Sequence, residues 1–117
     1  MWYLDSGCSK HMTRDISKFS SLKMKQDDYV IYRDNNKGKI LGYGNIGNTF
    51  STLKENVLLV EGLNYNLLSI SQLCDKGYKI KFDNDCCLIS DKSTNEIRYI
   101  GKKIDNIYML ELESICS

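Results

Sequence analysis

Trp2-Tyr3-Leu4-Asp5-Ser6-Gly7 opens the sequence with an aromatic and aliphatic run that ends in a carboxylate followed by two small residues. Such a run suits a strand. Small residues directly after it let the backbone turn closely, so the acid is held rigidly at a strand end. The chemistry this suggests is water activation by a pair of carboxylates. One of them, ionised, takes a proton from water, and the other, protonated, gives one to a scissile carbonyl oxygen. Two like charges a few ångströms apart cannot both ionise, so such a pair shares a proton and titrates as a unit. Asp-Ser-Gly on its own also occurs in ordinary strand-ending turns, so the rest of the chain has to decide.

Outward from this stretch the chain reads as mainly β. Short runs rich in Ile, Val, Leu and Tyr lie at residues 2–4, 29–32, 39–43, 57–60, 78–82, 87–90, 97–101 and 107–112, too short for helices and well suited to strands. Proline is absent, so turns fall to glycine and to Asn/Asp clusters such as Asp34-Asn35-Asn36-Lys37-Gly38 and Asp83-Asn84-Asp85. One segment differs. Across 64–76, Leu67, Leu68, Ile70, Leu73 and Cys74 recur near helical spacing and Gly77 supplies a stop, which predicts one short helix. The last residues, 111–117, are expected to fray.

With 117 residues the chain holds one modest core, hence one domain. An apolar fraction of 42%, a charged fraction of 26% and a net charge of +1 are those of a globular protein with no bulk electrostatic pull toward nucleic acid or membrane. No apolar stretch is long enough to span a bilayer, and no leader pattern opens the chain. The five cysteines, Cys8, Cys74, Cys86, Cys87 and Cys116, are odd in number and lack repeated zinc spacing. They read as reduced, mostly buried thiols.

The block Trp2-Tyr3-Leu4-Asp5-Ser6-Gly7-Cys8-Ser9-Lys10-His11-Met12-Thr13 resembles the Ty1/copia-type retrotransposon proteases, relatives of retroviral proteases, in which a tryptophan-containing strand leads to D-S-G, a small residue and a histidine. The resemblance continues in order through the glycine-rich Lys37-Gly38-Lys39-Ile40-Leu41-Gly42-Tyr43-Gly44-Asn45-Ile46-Gly47 and then Glu55-Asn56-Val57-Leu58-Leu59-Val60. It ends with Asn66-Leu67-Leu68-Ser69-Ile70-Ser71-Gln72-Leu73, Gly77-Tyr78 and Ile80-Lys81-Phe82. It covers about residues 2–110.

This resemblance implies an all-β, retropepsin-like acid protease barrel with one short α-helix, assembled as a two-fold homodimer. The implied activity is that of an aspartic endopeptidase processing the element's own Gag-Pol polyprotein. It implies Asp5 as the catalytic aspartate, with Asp5 of a second copy as its partner, because no second D-S-G or D-T-G exists in the chain. Ser6 is then the residue that hydrogen-bonds across the two loops, and Gly7 the one that admits substrate backbone. The segment 29–46 resembles the flap hairpin, with its tip at 34–38; by turn chemistry alone it is a surface hairpin. A helix at 66–76 would pack beside the catalytic loop. The retroviral pattern places an apolar pair and a glycine just before that helix, where this chain has Asn64-Tyr65. Retroviral proteases also carry a whole strand before their triplet, so either part of the interface lies elsewhere or the strands around 99–112 build it. No cofactor and no metal are implied, no nucleic acid or membrane partner is expected, and the implied location is the cytoplasm, within virus-like particles.

Other patterns in the chain have blander readings. Gly42-x-Gly44-x-x-Gly47 matches the dinucleotide fingerprint in letters, but Asn48-Thr49-Phe50-Ser51-Thr52 is a poor helix start and no βαβ alternation follows, so these glycines read as hairpin residues. Cys8 and His11 have metal-ligand spacing and could form a nucleophilic dyad. A packed thiol and a hydrogen-bonded histidine is the simpler reading. The scattered lysines alternate with acids, as on a solvated surface. Two alternatives stay open: the same fold kept as an inactive binding or assembly module, and a nucleic-acid-binding fragment, which the near-zero charge disfavours.

Overall fold

The alternating and apolar runs do become strands, and in the computed structural model, which describes residues 1–31, 37–47 and 55–111, they join one sheet. Its strands are β1 (Trp2–Asp5), β2 (His11–Thr13), β3 (Phe19–Ile31), β4 (Lys37–Ile46), β5 (Val57–Val60), β6 (Asn66–Ser69), β7 (Tyr78–Phe82), β8 (Cys86–Asp91), β9 (Ile97–Ile104) and β10 (Ile107–Leu110). A 3-10 turn, Ile16–Lys18, precedes β3, and the helix α1 (Ile70–Asp75) links β6 to β7. The expected flap-tip residues 34–36, the strand ends at Tyr32 and Leu112, the segment 48–52, Cys116 and the tail 112–117 lie outside the described residues.

The sheet order is β3-β4-β5-β2-β6-β1-β10-β9-β8-β7. A single buried cluster nonetheless gathers Ile46 of β4 and Val57 of β5 with Trp2, Leu68, Leu73, Tyr78, Ile89, Tyr99 and Leu110. Strands from opposite ends of the order can share one core only if the sheet curls on itself, so the architecture is barrel-like. A second, smaller cluster of Met12, Ile40, Val60 and Leu63 fills the space under β2, β4 and β5. Most neighbours are antiparallel, but two pairs are parallel: β1 with β6 and β2 with β5. The C-terminal strands flank the first one, with Trp2 opposite Leu110 and Tyr3 opposite Met109.

Two glycines of the dinucleotide-like letters serve the hairpin. A Cβ on Gly44 would stand 1.9 Å from the Ser21 carbonyl oxygen, and one on Gly42 would stand 2.6 Å from that of Lys23. Both sit in β4, where its backbone approaches β3 too closely for any side chain. Turn chemistry follows the proline-free composition: Asp105 and Asn106 both take positive φ between β9 and β10, the mirror-type turn of a two-residue hairpin.

Three differences from the sequence expectation bear on function. The helix begins at Ile70, since residues 66–69 are taken by parallel pairing with β1. Leu67 and Leu68 are therefore strand residues, Leu68 in the main core cluster and Leu67 packed against the smaller one. Strand β2 and the first half of β3 lie outside the runs expected to be strands. Their residues are either polar and buried, as His11 and Thr13 are, or mostly exposed and charged, as in β3, and neither pattern carries a hydrophobic period.

Candidate active site

Strand β1 delivers Asp5 to its carboxyl end, in parallel register with Ser69 at the end of β6. The chain turns at once. The Gly7 N–H donates to Asp5 Oδ1 at 2.6 Å, so one carboxylate oxygen is fixed by the very loop that carries it. Asp5 is half-buried, while Ser6 and Gly7 are exposed on the rim. The three residues singled out by the triplet thus form one exposed turn with an oriented acid.

Below this turn lies a buried polar network. The Ser69 hydroxyl donates to the Cys8 carbonyl at 2.7 Å and accepts from the Gln72 N–H at 3.1 Å. The first bond ties the loop after Asp5 to the helix start, and the second caps α1. Ser69-Ile70-Ser71-Gln72 has the letters of a capping box, in which the glutamine side chain would reach back to the Ser69 N–H. Here the Ser69 N–H donates instead to His11 Nδ1 at 2.9 Å. Gln72, released from that duty, accepts from the His11 N–H at 2.9 Å and donates to the Glu55 and Asn56 carbonyls at 2.9 and 3.2 Å. The sequence suggests a hydrogen-bonded histidine at His11, and it is one; its partner Ser69, and Gln72, were not singled out from the sequence. The S-x-x-Q spacing was a usable signal for these two.

The Cys8–His11 pair does not act together. His11 is fully buried and turned to Ser69. Burial, then the charge of Asp5, pushes the Cys8 thiol up to about 11, so it stays protonated at neutral pH and is not poised as a nucleophile.

Replacing Ser69 by Ala removes both the cap and the tie to Cys8. The expected loss is about 1–2 kcal/mol in denaturant unfolding at fixed protein concentration. A loss below about 0.5 kcal/mol would show that this hydroxyl does not hold the loop.

Comparison with known proteins gives this geometry a context. The model of a family described as "Pol polyprotein, beta-barrel domain" matches residues 2–78. The chain is also 29% identical over 118 residues to the retrovirus-related Pol polyprotein from transposon RE1 of Arabidopsis thaliana, an alignment that takes in 92% of this chain and 8% of that protein. No solved structure matches the chain. No helix among the described residues is long and apolar enough to cross a membrane. A barrel-like sheet whose first strand carries the D-S-G turn, matched over well more than half its length by this family, belongs to it: the chain is a Pol polyprotein beta-barrel domain of retrotransposon type.

Proposed function

We propose that this domain is the aspartic endopeptidase of its polyprotein, with Asp5 and Asp5 of a second copy forming one shared dyad in a retropepsin-like homodimer. The observation that carries this reading is the placement of Asp5, half-buried, at a strand end where the chain turns into the exposed Ser6 and Gly7, with one carboxylate oxygen fixed by the Gly7 N–H. One ionised carboxylate takes a proton from water while its protonated partner donates to the peptide carbonyl. Ser6 links the two loops across the two-fold axis, and Gly7 lets substrate backbone approach.

Two further features support it. The residues directly before α1 are Leu67-Leu68-Ser69, the apolar pair of the retroviral pattern followed by serine where that pattern has glycine. The hairpin of β3 and β4 runs past its neighbour, because β5 pairs β4 only as far as Ile40. The stretch beyond Ile40 would serve as the flap over an extended peptide, which would pair its backbone there as an added strand. Strands β9 and β10, lying beside β1, supply the flank on which the second copy docks. The natural substrate is the surrounding Gag-Pol polyprotein, and the natural location the cytoplasmic particles of the element. No cofactor takes part.

The test is cleavage of a polyprotein segment carrying this domain and its neighbours, with oligomeric state followed by sedimentation across protein concentration. Cleavage rate per chain should rise with the dimer fraction. A stable dimer that cuts nothing replaces this reading with that of an inactive assembly module.

A further inference from the structure

We infer that His11 is a positioning residue: its neutral imidazole, by accepting the Ser69 N–H, holds the loop that follows Asp5 against α1, and proton uptake at His11 releases that loop. For its catalytic consequence this rests on the protease reading above, which it extends with a built-in acid limit.

The geometry is a chain of short bonds. His11 Nδ1 takes the Ser69 amide, the Ser69 hydroxyl takes hold of the Cys8 carbonyl, and Asp5 is the register partner of Ser69 on the adjacent strand. An imidazole that accepts at Nδ1 must be neutral and carry its proton on Nε2. Once protonated, it has no lone pair for Ser69, and the amide at the start of α1 loses its acceptor. The surroundings resist that event. His11 is fully buried, and its charged neighbours are Lys10 beside it in the chain and Lys76 after α1. Glu55, ahead of β5, lies 3.4 Å from Lys76 and so is engaged with that cation. Burial first, then the two lysines, lower the imidazole from 6.5 to about 4. Its Nε2 has no hydrogen-bond partner among the described residues, so the position is kept by the Nδ1 bond rather than by a second one.

Asparagine places its amide oxygen where Nδ1 lies and does not titrate, whereas leucine offers no acceptor. These two variants separate the acceptor role from bulk packing.

His11 is the sole histidine of the chain, so its ring nitrogens can be followed without ambiguity by nitrogen NMR. In the wild type the Nε2–H tautomer should persist to about pH 5 and titrate near 4. The amides of Ser69 and of residues 6–8 should shift with the same midpoint. Cleavage of the polyprotein segment should fall along that titration, His11→Asn should remove this acid limb while cutting well at neutral pH, and His11→Leu should lower kcat by about 10²-fold with KM little changed. Titration near 6.5, an Nδ1–H tautomer, loop amides that ignore the titration, or an Asn variant no better than Leu would each overturn the inference. If the loop amides follow His11 but no variant or wild type cleaves at any pH, the positioning stands and the protease reading falls.

Discussion

Asp5→Asn is expected to lower cleavage by at least about 10²–10⁴-fold while the domain stays folded and dimerises as well as before. Asparagine has nearly the shape of aspartate and keeps an oxygen at the position that accepts from the Gly7 N–H at 2.6 Å. Exchanging a charge-assisted bond for a neutral one at this half-exposed turn costs about 1 kcal/mol or less. In a two-fold dimer the substitution also removes the repulsion between two like groups brought together, which offsets that cost. Chemistry has no such compensation. An amide neither takes a proton from water nor shares one with its mate, so the loss is about 3–5 kcal/mol of transition-state stabilisation. The two energies differ enough to be separated in one sample, by turnover and by sedimentation. A variant that cuts within about ten-fold of wild type would remove Asp5 from the mechanism. One that no longer dimerises would show that the carboxylate is needed to build the interface and not only to use it.

How far this site could be read in advance depends on the range of the interactions involved. Asp5-Ser6-Gly7 are neighbours in the chain, and their letters suffice to mark a turn with an acid on it. The strands Val57–Val60 and Tyr78–Phe82 were legible for a similar reason, each being a short β-prone run bounded by turn residues. Strand β6 was not. Leu67, Leu68, Ile70 and Leu73 fit a helical stripe as well as a strand running into a helix. Only the parallel pairing with β1, more than sixty residues away, decides between them. Local propensity yields here to a nonlocal ladder. Strand β2 fails by another route. His11 and Thr13 are as buried as any leucine, but they are inside because Ser69, Gln72 and Asn66 meet their polar atoms, and a hydrophobic pattern does not record partners. The buried network under the Asp5 turn was therefore hidden by the sequence separation of its members. It ties β1, β2, β6 and α1 together at one level.

Trp2→Ala should cost about 3–5 kcal/mol, the largest stability loss of any single truncation in β1, whereas Trp2→Phe should cost no more than about 1–2. Trp2 is fully buried at the head of β1, in the cluster with Leu68, Leu73, Ile89 and Leu110. Alanine leaves a large cavity that these neighbours, drawn from four other elements, can only partly fill. Phenylalanine loses less surface, and it also deletes the indole N–H, which is buried without a hydrogen-bond partner among the described residues. Leaving such a donor unmet costs about 1–3 kcal/mol, so its removal offsets much of the lost contact. Against a total stability of about 5–15 kcal/mol for a domain of this size, the alanine variant gives up about a fifth or more. Its effect reaches the chemistry through the strand itself. Trp2 sets the register of β1 against both Asn66 and Leu110, and Asp5 is the last residue of that same strand. A β1 that opens more often holds its carboxylate less of the time, so at equal dimer fraction the alanine variant should also turn over more slowly than the phenylalanine one. Unfolding must be compared at a single protein concentration, because a dimer's apparent stability rises with it. Equal losses for the two variants would mean that the indole N–H has a partner after all, and a loss under about 1 kcal/mol for alanine would mean that β1 is held by its ladders alone.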